Sequence, residues 1–136
     1  MPWEDEESEC VLRETNEPKV YDLEERTARF GEAIVDFLKK VPLGPRTDRL
    51  VGQLTGCGTS VGANYCESDD AVSLKEFAKN IGTCRKEARE SKFFLRMMAR
   101  ACPELAEDAR RLWREANELH LIFSKIRRTI QSKQPT

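Results

Sequence analysis

The chain has no long apolar run; its longest strings are a few residues, such as Phe93-Phe94-Leu95. A membrane-spanning helix needs about 20 consecutive, mostly apolar residues, so that class is excluded. The start, "MPWEDEESEC", has neither the basic residues nor the apolar stretch of a secretory signal, and the expected location is the cytoplasm. Histidine occurs once, at His120, and the five cysteines, Cys10, Cys57, Cys66, Cys84 and Cys102, include no Cys-x-x-Cys pair. Neither a zinc site nor a disulfide framework is expected from that set. A di-metal carboxylate centre in a bundle wants two Glu-x-x-His motifs, which one histidine cannot supply. No catalytic residue, metal or cofactor is therefore expected.

What is present is charge and helical periodicity. At 136 residues, 39% hydrophobic and 35% charged, the chain is the size of one domain with heavily charged outer faces. The net charge of −1 conceals a division. Residues 1–18 hold seven acids and one base, a net of −6, and residues 19–136 carry +5. With Pro2, Pro18 and little periodicity, 1–18 is expected to be a disordered acidic tail. Its sign suggests that it folds over a basic face of the domain and competes with whatever binds there.

From Val20 onward four stretches repeat apolar residues at threes and fours. Asp22 and Glu25 have capping-box spacing, and Leu23, Thr27, Phe30, Ile34, Phe37, Leu38 and Val41 follow on one face up to Pro42. A second helix starts at Thr47 or Asp48 with the seam Leu50, Leu54, Cys57, Val61 and Tyr65. "ESDD" (67–70) is expected to break it and cap a third, whose seam runs from Leu74 through Ile81, Cys84, Ala88, Ser91, Leu95 and Met98 to Cys102. Pro103 fits the first turn of a fourth, with Leu105, Ala109, Leu112, Ala116, Leu119, Phe123, Ile126 and Ile130 in near-heptad spacing. Short joining loops favour antiparallel neighbours, so the expected fold is an all-α, up-down-up-down antiparallel four-helix bundle over residues 19–136. Cys57, Cys84 and Cys102 fall on its apolar faces, where a free thiol acts as a small hydrophobe. His120 is expected at a surface or edge.

The stretch "GCGTSVGANYC" (56–66) poses the sharpest question. A phosphate loop needs a preceding strand and either a following lysine or G-x-G-x-x-G spacing, and here the spacing is G-x-G-x-x-x-G with neither. The glycines are instead expected inside the helix. Gly52, Gly56, Thr59, Ala63 and Cys66 trace a stripe of small side chains, with Gly58 and Gly62 alongside. Each glycine costs about 1 kcal/mol of helix propensity relative to alanine, which close packing against another helix or another subunit would offset.

Two charged groups stand out. Arg85, Lys86, Arg89, Lys92, Arg96 and Arg100 form a basic stripe against Glu87 and Glu90, and Lys125, Arg127, Arg128 and Lys133 follow the last acid, Glu118. Such a surface can neutralise phosphates; the plainer reading is a solvated face, intersubunit pairing and complementarity to the helix dipole. Asn64, Glu67, Lys86, Glu87 and Glu90 form the second group, expected to fix register or subunit contacts through hydrogen-bonded pairs. Trp113, Phe93 and Phe94 lie beside the main seams, extra aromatic width that suggests a second buried surface and self-association.

The run "QLTGCGTSVGANYCES" (53–68), with "YDLEERTARF" (21–30) and "SLKEFAKNIGTCRKEARESKFFL" (73–95), resembles the four-helix-bundle family of 23S ribosomal RNA intervening-sequence proteins. Gly58 to Tyr65 with Glu67, and Lys86 to Glu90, carry the likeness. It also looks like the accessory protein of diversity-generating retroelements. The resemblance implies a bundle that assembles into ring-like pentamers, in the second case with a basic surface engaging nucleic acid and a reverse transcriptase, and it assigns no catalytic residue. The acidic tail departs from the family pattern. The combined expectation is a non-enzymatic, homo-oligomeric scaffold that binds structured RNA or a nucleoprotein partner. The alternative is a protein–protein adaptor whose basic surface meets an acidic partner.

Overall fold

The structure, a computed structural model, describes residues 22–133. The acidic segment 1–18, and with it the proposed contact between tail and basic face, lies outside the described residues.

Four helices follow in chain order: α1 (Leu23–Leu38), α2 (Asp48–Asp69), α3 (Leu74–Ala101) and α4 (Ala106–Lys133). Asp22 caps α1 by accepting from the Glu25 amide at 3.1 Å. That helix ends at Leu38, short of the apolar pattern, because Pro42 disfavours helical geometry at Val41 and the chain turns first. The cap of α3 is Ser73, whose hydroxyl accepts from the Glu76 amide. The "ESDD" stretch is therefore mostly the last turn of α2, which runs to Asp69, rather than the break and cap expected of it. Pro103 opens a short 3-10 turn, Pro103–Leu105, and the α-helix starts one residue later at Ala106.

Cross-helix neighbours establish the topology. Between α1 and α2, Thr27 meets Gly62 and Ile34 meets Gly58. Between α2 and α3, the Cys84 thiol points at the Val61 carbonyl, and Cys57 stands beside Ser91. Arg85 pairs with Ser124 and Lys92 with Asn117 across α3 and α4. Finally α1 closes on α4 through Arg26 with Glu115 and Lys40 with Asp108. In every pair one number rises as the other falls, so all four contacts are antiparallel and the bundle runs up-down-up-down.

The core is the set of seams: Phe30, Ile34, Leu54, Val61, Ile81, Cys84, Ala88, Leu95, Met98, Ala116, Leu119 and Phe123 are buried together. Trp113 belongs to this core too. Its burial within the single chain removes the reason to assign it to a second surface. The apolar face of α4 is wider than one heptad seam because α3 lies along its flank. Thr27, Ser91 and Ser124 are buried hydroxyls, and each donates to a carbonyl four residues earlier in its own helix, so none is left without a partner.

Candidate nucleic-acid interface

The glycines resolve into two classes. A Cβ on Gly58 would stand 2.9 Å from Ile34 Cγ1, and one on Gly62 would stand 3.3 Å from Thr27 Oγ1, so these two let α1 approach α2. A Cβ on Gly52 or Gly56 would meet nothing within 4 Å among the described residues. Gly56 is thus not a packing residue within the bundle; its bare face opens outward beside a groove of about 670 Å³ between α1 and α2. Gly58 and Gly62 make a helix-packing surface inside the chain, and the whole run lies within α2, with no loop to cradle a phosphate.

The second charged group does not form hydrogen-bonded pairs among the described residues. Asn64 donates from Nδ2 to the Ser60 carbonyl of its own helix at 2.9 Å, and Glu67 is exposed. Glu87 and Glu90 are half-buried on the side of α3 that faces α2, where both are felt by the Cys57 thiol. Burial, with Glu90 adding to it, raises the Glu87 carboxyl above its ordinary value.

The basic residues of α3 have a shared direction. Arg85, Arg89, Lys92, Arg96 and Arg100 recur at threes and fours, which keeps them on one side of the helix. That side faces α4: Arg85 Nε donates to Ser124 Oγ at 2.9 Å, and Lys92 Nζ donates to Asn117 Oδ1 at 2.9 Å while sitting 5.4 Å from the Trp113 ring centroid. Lys86 lies one step outside the row and is exposed. From α4, Arg128 follows Ser124 at one helical turn, with Lys125 and Arg127 exposed just before it. Arg110 and Arg114 extend the same flank toward the other end, where Arg110 bonds Glu107.

Beneath this row lies a polar floor that spacing of apolar residues did not expose: Asn117, His120 and Ser124. Its signal was the interval from Trp113 through those three, a helical stripe adjoining the apolar seam. His120 is half-buried, and both ring nitrogens are shielded from solvent without a hydrogen-bond partner. Burial, helped by Lys92, Arg85 and Arg89, pushes its imidazole down to about 4. The edge position expected from sequence is thus a shielded one, and the side chain is neutral at pH 7.

Carboxylates are turned elsewhere. Arg26 of α1 holds Glu115 and Glu118, Lys40 holds Asp108, and Glu87 and Glu90 face α2. Among the described residues the one carboxylate along the α3/α4 flank is Glu107, at its end. The bundle has separated its charges by face.

The fold has a solved counterpart. It is similar to the crystal structure of a protein of unknown function from the S23 ribosomal protein family, from Bacteroides thetaiotaomicron. The TM-score is 0.66 at 22% sequence identity, over 76% of this chain and 96% of that one. At that identity the likeness establishes a common bundle architecture. No protein-family profile and no curated protein matches the sequence. Among the described residues no group of histidine, cysteine and carboxylate side chains is placed to hold a metal ion, and no helix is long and apolar enough to cross a membrane.

Proposed function

We propose that the chain is a non-catalytic, self-associating scaffold of the cytoplasm that binds structured RNA, or a nucleoprotein partner containing it, along the α3/α4 flank. The observation that carries this reading is the separation of charge: Arg85, Arg89, Lys92, Arg96 and Arg100 share one flank with Arg128, while Glu115 and Glu118 are turned to α1 and Glu87 and Glu90 to α2. A row of like charges repels itself, and a polyanion relieves that repulsion while releasing counterions. The shared architecture with an S23-family protein and the run from Gly58 to Tyr65 support placing the chain among the 23S ribosomal RNA intervening-sequence proteins. Ring-like self-association is part of the same reading, and the bare outer face at Gly52 and Gly56 supports it.

The test is titration of a labelled structured RNA at several salt concentrations, beside light scattering of the protein alone. Binding that weakens linearly in log–log form, with a slope that shrinks for Arg89→Glu and Arg96→Glu, is the expected result. No binding at low salt, with capture of one acidic protein instead, would replace it by the adaptor reading. A monomeric mass at every concentration would remove self-association.

A further inference from the structure

Phe93 lies on the outer edge of the basic flank and is 55% exposed. The other large exposed hydrophobics among the described residues are aliphatic: Val35 on α1, Leu43 and Val72 in connecting segments, and Leu74 at a helix start. Phe93 is thus an aromatic ring in open view in the C-terminal half of the 28-residue helix α3. Its orientation is held. The ring meets Phe94 edge to face, with centroids 5.2 Å apart and planes at 81°, and Phe94 is itself packed against the core.

The neighbours of Phe93 on the helix surface are cations. Arg89 is one turn before it and Arg96 one turn after, while Lys86 and Arg100 stand two turns away on either side; all four are exposed. None of the four pairs with a carboxylate among the described residues. Glu90, three residues before Phe93, is half-buried and directed to the α2 side.

We infer that Phe93 is a stacking platform for an unpaired base, with the flanking phosphates taken by Arg89 and Arg96 and the next ones by Lys86 and Arg100. The nucleic acid this flank takes is then single-stranded or looped rather than a continuous duplex. This rests on the nucleic-acid reading above and narrows it to a ligand class. A duplex offers the same cations its phosphates but hides its base faces in its own stack; an unpaired nucleotide offers both. One helical turn of about 5.4 Å separates the ring from Arg89 on one side and from Arg96 on the other, a spacing on the scale of one nucleotide. A second copy of the same flank is disfavoured as the occupant, because it would set four cations against four. An apolar protein surface would strip the four of water without supplying counter-charge.

The experiment is anisotropy with two labelled RNAs, a hairpin with an adenosine-rich loop and the same stem as a blunt duplex. The full chain is compared with Phe93→Ala, Phe93→Leu and Phe93→Trp. Because Phe93 is largely exposed, folding is checked simply by matching melting curves. Expected is a loss of about tenfold for the hairpin with the alanine and leucine variants and no change for the duplex. The tryptophan variant should keep hairpin affinity, and its emission should be quenched by the hairpin beyond any change in the wild-type protein.

Equal affinity of all variants for the hairpin, or equal losses on both probes, overturns the platform while leaving the nucleic-acid reading in place. So does a Phe93→Ala protein whose molar mass falls in light scattering while hairpin affinity holds, which would put the ring against another copy. If the wild-type chain binds neither RNA, the nucleic-acid reading fails and takes this inference with it.

Discussion

Arg26 grips Glu115 with two parallel bonds, Nε to Oε2 at 2.8 Å and Nη2 to Oε1 at 2.9 Å, and the same Nη2 reaches Glu118 Oε1 at 2.9 Å. This contact joins the first helix to the last, residues 89 positions apart. The bonds to the two carboxylates raise the guanidinium above its ordinary value. The contact closes the bundle, and it also removes two carboxylates from the reach of the basic flank.

Arg26→Ala is expected to lower the unfolding free energy by about 1–3 kcal/mol, read as a lower urea midpoint at unchanged slope. Arg26→Lys should lose a good part of that, since an ammonium keeps the charge but not the two-pronged geometry. An unchanged midpoint for the alanine variant would mean that the helix pair is held by apolar contact alone.

The two glycine classes separate by substitution. Gly58→Ala places a methyl against the fully buried Ile34, and the overpacking cost of about 1–3 kcal/mol exceeds the roughly 1 kcal/mol of helix propensity it gains. Gly56→Ala meets nothing among the described residues and should stabilise the monomer by up to about 1 kcal/mol. Thermal or urea unfolding of the two variants should therefore move in opposite directions. If light scattering shows that Gly56→Ala also reduces the oligomer mass, the bare face of α2 is a subunit contact.

His120 makes stability depend on acid. Its folded value is pushed down to about 4, while an unfolded histidine titrates near ~6.5. Between those values the unfolded chain binds the extra proton, so stability is complete above about pH 6.5 and falls as the pH drops toward 4. His120→Gln should flatten the unfolding midpoint over that window. NMR titration of the imidazole in the folded protein should show no protonation until well below pH 6.

The thiols divide by burial. Cys84 is buried and its thiol pushed up to about 12, and Cys57 and Cys102 are raised by the same desolvation, so all three should resist alkylation in the folded protein near pH 8. Cys66 is exposed and should react at once. Peptide mapping after a short exposure to iodoacetamide, in a Cys10→Ser background, reads the difference. Fast labelling of Cys84 would show that α2 and α3 open locally.

The four helices were legible in the sequence because burial on one side of a helix imposes a repeat of threes and fours, and Phe30, Leu54, Leu95 and Phe123 keep it. Antiparallel order followed from short loops. The basic row of α3 was visible for the same reason. Periodicity says which residues share a face but not what lies opposite, so it could not tell Gly58, pressed on Ile34, from Gly56, which faces open space. Nor could it place Trp113 in the core or His120 and Asn117 under Lys92, because those positions depend on where α3 lies along α4. The destination of the carboxylates was likewise decided only in three dimensions. Glu115 and Glu118 stand among the bases of α4 along the chain, and it is the return of α1, bringing Arg26 to them, that turns their charge away from the flank.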